Sequence, residues 1–392
     1  MKILYHYRIR SKDGQYVHIE ELTEALRARG HEIVLVGPKA VETEDFGADA
    51  GFVDVLKDSL PGFVYEALEF MYSFFAWGRI CYQILRHRPD CIYERYSLFS
   101  PAGIWAKGLF GLPLLLEVNA PLYAERKKYS GIALDRLARW SEAFTWRGCD
   151  HALPVTRVLA GHLTSVGVGE KRITVIPNGV NPARLANLPS RPQAKSRLGL
   201  DSKLVLGFVG FIHDWHGLSQ VVELLHTQRD ADLHLLILGE GPGRAAIGRR
   251  AAELGVADRI HFTGIVQRNE VGRYLAAFDI ALQPAVTPYA SPLKLFEYLY
   301  LGLPIVAPAT DNIREILEDR VNALLFEPDS PEAFCQAVRA LCTDPALRAR
   351  LGAEAKSTIE RRDLTWAHNA QRVEALFSGL LDPATQPERA EP

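Results

Sequence analysis

The same opening occurs twice in this chain. Residues 3–7 form an apolar run, followed by a polar loop over 8–15, a helical stripe of Ile19, Leu22, Ala25 and Leu26 closed by Gly30, and a second strand at Glu32–Val36. The second half starts again with a strand at Leu204–Val209, the loop Gly210-Phe-Ile-His-Asp-Trp-His-Gly217, and a helix. A strand that enters a helix through a glycine-bearing loop and returns as a strand is the opening unit of a doubly wound parallel sheet. Two openings predict an α/β chain of two Rossmann-like domains, and 392 residues suffice for two domains of about 100–200 residues each. The polar, Pro-rich stretch 185–197 reads as a linker, giving domains at 1–185 and 186–362, a last helix over 363–382, and a polar tail, 383–392, expected to be disordered.

Composition narrows the function classes. A net charge of -2 gives no basic field for nucleic acid. Cys81, Cys91, Cys149, Cys335 and Cys342 show neither a CxxC pair nor zinc spacing, which suits structural thiols in a reducing cytoplasm. The chain enters a strand at once, with no signal peptide expected. The most apolar window, residues 63–85, carries Glu66, Glu69 and Arg79, which argues against a membrane span.

The stretch Ala290-Ser-Pro-Leu-Lys-Leu-Phe-Glu-Tyr-Leu-Tyr-Leu-Gly-Leu-Pro-Ile-Val-Ala-Pro308 carries the chemistry. Ser291 is suited to cap a helix and Pro292 to open it. Leu295 and Leu299 give the buried stripe, Gly302 and Pro304 stop the helix, and 303–307 read as a strand. The N–H groups at such a helix start, with Leu293 among them, attract anions. Lys294 adds a cation, and Glu297, three residues on, can accept hydrogen bonds from a diol. Together they form a grip for a nucleotide sugar.

This stretch resembles the donor-site helix of the family 4 glycosyltransferases, retaining enzymes of the GT-B fold. The resemblance implies two Rossmann-like doubly wound parallel-sheet domains facing across a cleft, with the last helix crossing back to the first domain. The family pattern has two glutamates separated by seven residues; Glu297 stands at the second, ribose-binding position, and Tyr289 replaces the first. Gly14 and Gln15 match the loop that meets acceptor and leaving phosphate, although one glycine of the usual pair remains. Asn119, at a strand end, stands where many members place a histidine near the transferred sugar. It cannot shuttle a proton at neutral pH, but in retaining transfer the leaving phosphate itself can take the acceptor proton. The turn Pro177-Asn-Gly-Val-Asn181 resembles the one that ends the first domain. Gly210 begins the loop that cradles the donor diphosphate; the family's arginine and lysine there are replaced by Phe211 and His216, leaving His213 and His216 as cationic or neutral donors. The Gly239-Glu-Gly-Pro turn resembles a structural element of the family, and the residues at and after Gly264 hold the base.

The implied activity is transfer of a hexose from a UDP- or GDP-sugar to a glycan or lipid-linked acceptor, in envelope or exopolysaccharide biosynthesis. Asn119, His216 and Lys294 are the catalytic candidates. Gly210, His213, His216, Gly264, Ser291, Pro292, Leu293, Lys294 and Glu297 are the donor contacts, and Gly14 and Gln15 the acceptor contacts. No cofactor or metal is expected, since no Asp-x-Asp pair is suitably placed. The substitutions at Phe211, His216 and Tyr289 keep open a catalytically weak GT-B subunit partnering an active transferase; a sugar-nucleotide epimerase or a phosphorylase is a further alternative. Basic residues interleaved with Trp140, Phe144 and Trp146 over 125–147 suit peripheral contact with an anionic membrane at its cytoplasmic face, and the same pattern also suits a core-facing helix.

Overall fold

The computed structural model describes residues 1–9, 14–38, 60–228 and 232–382, and the side chains of 14 and 15 are outside it, as is the tail expected to be disordered. The chain divides into two compact units, Met1–Pro177 with the C-terminal residues from Trp366, and Asn178–Thr365.

In the first unit, five strands, β1 (Lys2–His6), β2 (Glu32–Val36), β3 (Cys91–Arg95), β4 (Leu114–Val118) and β5 (His151–Pro154), form a parallel sheet in the order β2-β1-β3-β4-β5. Every residue of β3 and β4 is buried, as expected of a parallel sheet covered on both faces. Alternation sends Leu4, Ile92, Leu114, Leu116 and Val118 into a core with Ile80 and Ile84 of helix Gly62–His87, Ile104 of helix Ala102–Phe110 and Trp146 of helix Asp135–Gly148. Each such side chain contributes about 1.5–3 kcal/mol by leaving water. On the opposite face Tyr5 stacks on Tyr93, beneath helix Gly14–Ala28 and the C-terminal helix Trp366–Leu381. That last helix is fastened by Asn369 Nδ2, which donates to the Pro177 carbonyl (2.8 Å), by Arg372, which donates to Val175 O (2.6 Å), and by the Arg29–Glu374 ion pair.

In the second unit, β6 (Leu204–Val209), β7 (Leu233–Leu238), β8 (Ile260–Phe262), β9 (Ile280–Leu282), β10 (Ile305–Pro308) and β11 (Leu324–Phe326) form a parallel sheet ordered β11-β10-β9-β6-β7-β8. The order reverses between β6 and β9, where open α/β sheets take ligands beyond their carboxyl ends. Helix Leu293–Tyr300 packs on helix Pro345–Arg361 through Gly302 and Gly352; a Cβ on Gly352 would stand 2.3 Å from the Gly302 carbonyl.

Two sequence expectations change here. The 177–181 turn begins the second unit instead of ending the first: Asn178 bonds Ser291, and the Val180 N–H donates to Leu364 O at 3.0 Å. The boundary therefore falls after residue 177 instead of 185. The stretch 185–197 is not a free linker. Leu185 is buried, Ser190 opens the helix Arg191–Arg197 with a capping box, and Lys195 pairs with Asp279 at 2.5 Å. Its polarity misled because one lysine finds a buried carboxylate distant in sequence.

Candidate functional site

At the reversal point of the second unit, β6 runs into Gly210, whose φ of 142° excludes most side chains. A Cβ at Gly239 would stand 2.1 Å from the Gly210 carbonyl, and one at Gly241 2.3 Å from that of Ile212. The Gly210 and Ile212 N–H groups donate to Leu238 O (2.9 Å) and Glu240 O (2.8 Å). The Gly239-Glu-Gly-Pro turn is thus a mould for the loop 210–213, which fits its structural reading. Gly264 sits beside it, bridged to Gly239 with φ 71°.

Helix Leu293–Tyr300 begins one residue later than the sequence suggests. Pro292 is its N-cap, and Ser291 does not cap it. The Ser291 hydroxyl instead accepts from the Asn178 N–H (3.2 Å), and its carbonyl accepts from Asn178 Nδ2 (2.5 Å). With no side-chain cap, the N–H groups of Leu293 and Lys294 point out of the helix's amino end. The helix is fixed to the sheet by Tyr298, whose hydroxyl accepts from the Val209 N–H at 3.1 Å. The preceding loop is fixed by Asn312, whose Nδ2 donates to Thr287 O and Ala290 O.

Lys294 Nζ lies 3.8 Å over the Phe208 ring and 3.2 Å from where a Gly210 Cβ would be. Burial pushes its ammonium down to about 7, with Glu297 on the same helix opposing the shift. Beside Phe208 lies His216, buried, its Nδ1 accepting the His213 N–H at 3.2 Å. Burial first, then Lys294, hold the His216 pKa down to about 2. Of the two roles open to it, His216 therefore takes the neutral one, with the proton on Nε2 as a donor. His213 stacks on Trp215 and meets Phe211 edge-on; Phe211 and Trp215 are 41% and 54% exposed. The parts played by Trp215 and by Phe208 under the lysine are not legible in the sequence, where Trp215 is one more loop aromatic and Phe208 an ordinary strand residue.

The first unit holds a different chemistry at its strand ends. Glu117 is buried among the hydroxyls of Tyr5 (3.2 Å) and Tyr93 (2.8 Å), Arg95 Nη1 (2.5 Å), His18 Nε2 (2.9 Å) and the Asn119 amide, which donates to it. Against the burial that would raise it, His18 and Arg95 hold its carboxyl well below the usual range. Asn119 thus stands at the end of β4 as expected, engaged with Glu117. Gly14 and Gln15 begin helix Gly14–Ala28. A second buried pair, unforeseen from sequence, joins His6 Nδ1 to Glu94 Oε1 at 2.6 Å. A polar pocket of about 370 Å³ opens beyond β1 and β3, lined by Arg8, Glu69, Ser97, Leu98 and Arg126 among others.

The 125–147 segment divides between the two readings. Trp146 is core, and Arg126, Lys127 and Arg139 are paired with Glu69 and Asp135, while Arg136, Trp140 and Arg147 are exposed. Next to it, helix Gly62–His87 buries Glu66 and Ser73 and turns Phe63, Met71, Phe75 and Leu85 outward. No helix among the described residues is long and apolar enough to cross a membrane.

Two family descriptions match the chain, one over each half. Residues 12–184 match Glycosyltransferase Family 4, and residues 190–358 match Glycosyl transferases group 1. The chain is 31% identical over 196 residues to a 2-deoxystreptamine glucosyltransferase of Streptomyces kanamyceticus, a match spanning 48% of this chain and 49% of that enzyme. It is 26% identical to a D-inositol 3-phosphate glycosyltransferase of Xylanimonas cellulosilytica, over 89% and 88% of the two chains. The crystal structure of Anabaena HepE in complex with UDP superposes with a TM-score of 0.76 at 17% identity, covering 96% of this chain and all of that one. A glycosyltransferase domain is thus matched in each half, and the two parallel-sheet units have the GT-B fold.

Proposed function

We propose that the protein transfers a hexose, with retention at the anomeric carbon, from a UDP- or GDP-sugar bound by the second unit to a glycan or lipid-linked acceptor bound by the first. The observation that carries this reading is the convergence at the β6–β9 reversal of the Lys294 ammonium, two uncapped helix N–H groups and the neutral His216. Those groups suit the charge that builds on a leaving diphosphate, and they supply it without a metal or cofactor. Glu297 takes the ribose hydroxyls, Gly210 leaves room for the diphosphate, the residues at Gly264 hold the base, and the rings of Phe211 and Trp215 offer it a stacking surface. HepE, solved with UDP and with UDP-glucose, supports a uridine donor by likeness of fold. Asn119, Gly14 and Gln15 lie on the acceptor side.

The acceptor fits envelope or exopolysaccharide synthesis at the cytoplasmic face of a membrane. Peripheral contact there uses the exposed part of 125–147, with Trp140, together with the outward apolar side chains of helix Gly62–His87. Thermal-shift screening with UDP, GDP and their sugars, followed by assay of nucleotide release on adding lipid-linked acceptors, tests the reading. Stabilisation by one nucleotide and acceptor-dependent release are expected. No stabilisation by any nucleotide would remove the transferase reading in favour of a binding subunit.

A further inference from the structure

Glu117 lies in β4 and Asn119 just beyond its carboxyl end, two residues apart and therefore on the same side of the strand. Such ends are where open α/β sheets take ligands. Glu117 is 1% exposed, and both of its oxygens are met by donors. Oε1 accepts from Arg95 Nη1 (2.5 Å) and from Asn119 Nδ2. Oε2 accepts from the hydroxyls of Tyr93 (2.8 Å) and Tyr5 (3.2 Å) and from His18 Nε2 (2.9 Å). Burial would raise this carboxyl, but His18 and Arg95 hold it ionised. An ionised carboxylate only accepts, so the Asn119 amide must turn its nitrogen to Glu117 and its oxygen away. Asn119 is half-buried, and its Oδ1 has no partner among the described residues.

The same carboxylate ties several elements together. Tyr5 of β1 and Tyr93 of β3 stack with ring centres 4.8 Å apart. His18 stands one turn past Gly14 on helix Gly14–Ala28 and meets Trp366 of the C-terminal helix edge-on. The amino end of one helix is thereby held to the end of β4 by a buried anion. The other charged groups on these elements have partners of their own. Glu94 of β3 pairs with His6 of β1, Arg372 donates to Val175 O, and Glu374 pairs with Arg29.

We propose that Glu117 is a positioning residue for the acceptor, turning the Asn119 amide so that Oδ1 accepts a hydrogen bond from one of the acceptor's hydroxyls. This rests on the reading of the first unit as the acceptor's. The arrangement discriminates by charge. A carbonyl oxygen beside a buried anion accepts from an O–H and disfavours a phosphate or carboxylate, and Arg95 is already paired with Glu117. The part of the acceptor placed there is an uncharged sugar ring, not the phosphate of a lipid carrier. The contact moves no proton, so the proton of the attacking hydroxyl is still left to the leaving phosphate.

The test compares wild type, Asn119→Ala, Asn119→Asp and Glu117→Gln. The donor is the nucleotide sugar that stabilises the wild type, and the probe acceptors are octyl glycosides of glucose, galactose and mannose with their monodeoxy analogues. Asn119→Ala raises the acceptor KM about tenfold, while kcat and nucleotide binding stay within about threefold. One monodeoxy analogue is poorer than its parent by about tenfold with wild type and by under about twofold with Asn119→Ala. Glu117→Gln gives a similar rise in KM, because its own amide can donate and let that of Asn119 turn over. Asn119→Asp reports on the anion without any acceptor. Beside Glu117 the new carboxyl titrates above its ordinary value of about 3.9; protonated, it donates to Glu117 and keeps a carbonyl oxygen outward. The folded variant then holds a proton that the unfolded chain releases, so its stability falls as pH rises. Its melting temperature matches wild type near pH ~4 and drops away as that carboxyl ionises, and the acceptor KM rises over the same window.

If Glu117→Gln does not fold, the two Asn119 variants carry the test. An Asn119→Ala enzyme with an unchanged acceptor KM, or with the full penalty for every analogue, overturns the contact. An Asn119→Asp protein that melts in parallel with wild type at every pH overturns the role of Glu117. A wild type that binds nucleotide but transfers to none of the glycosides overturns the placement of a sugar ring there. A wild type that binds no nucleotide fails the functional reading itself, and the melting curves still decide the role of Glu117.

Discussion

The two sheets reverse their strand order at two places, and each place holds a buried histidine whose ring is set the opposite way. In the second unit His216 Nδ1 accepts a backbone N–H, so Nε2 carries the proton and donates. In the first unit His6 Nδ1 faces Glu94 Oε1 at 2.6 Å. The surroundings differ in the same sense. Lys294 and an open helix end collect positive potential around His216, while Glu94 and Glu117 bring buried negative charge to the strand ends near His6. One fold element, used twice, carries a cationic, anion-binding end in one unit and a buried histidine–glutamate pair in the other. The lesson is that the partner of one ring nitrogen decides the chemistry of the second.

The largest effect that sharpens the contrast is structural. Arg95→Leu leaves Glu117 charged and buried beside a histidine, and breaking a buried ion pair costs about 3–5 kcal/mol. Urea unfolding should show the first unit destabilised and the second unmoved; a loss of under about 1 kcal/mol would mean that Glu117 is not held as an anion. Next comes Lys294→Met, expected to lower kcat/KM by about 100–1000-fold, since a preorganised charge-stabilising group is removed. A fall below tenfold in a nucleotide-release assay would take Lys294 out of the chemistry.

The same lysine makes a prediction of opposite sign for stability. Its folded pKa, about 7, lies below the ordinary 10.5, so the unfolded chain binds more protons across that window. The lysine thus costs stability below pH 7, and the cost is relieved as pH rises from 7 to 10.5. Lys294→Met should melt a few degrees higher than wild type at pH 7, and the gap should close at alkaline pH. Glu297→Ala comes next: loss of a charged partner to ribose hydroxyls weakens nucleotide binding by about 1.5–3 kcal/mol, measured by calorimetry. Unchanged affinity would exclude Glu297 from the site. The smallest effect is on pH dependence: binding a diphosphate takes up a proton at Lys294, so affinity falls by up to about tenfold per pH unit above 7.

Much of this contrast was legible in the sequence for the second unit and little of it for the first. The donor stretch is local: Lys294 and Glu297 sit on one short helix, and its apolar stripe of Leu295 and Leu299 fixes which side faces out. What failed there depended on distant partners. Ser291 reads as a cap until Asn178, 113 residues earlier, takes its hydroxyl, and Lys195 reads as linker until Asp279 binds it. In the first unit the chemistry is made wholly of such pairs. His6 meets Glu94 across 88 residues, and Arg95 meets Glu117 across 22. Each ends an apolar strand as an ordinary polar residue, and only the sheet register makes them neighbours. Asn119 was placed at the site by resemblance, but its bond to Glu117 follows from β4 geometry alone.

The most direct measurement is a crystal structure of the chain soaked with UDP, and in parallel with GDP. The account predicts diphosphate oxygens within hydrogen-bond distance of the Leu293 and Lys294 N–H groups and of Lys294 Nζ, with the ribose against Glu297. A nucleotide bound away from that helix end, or an end closed by the protein's own side chains, would contradict it.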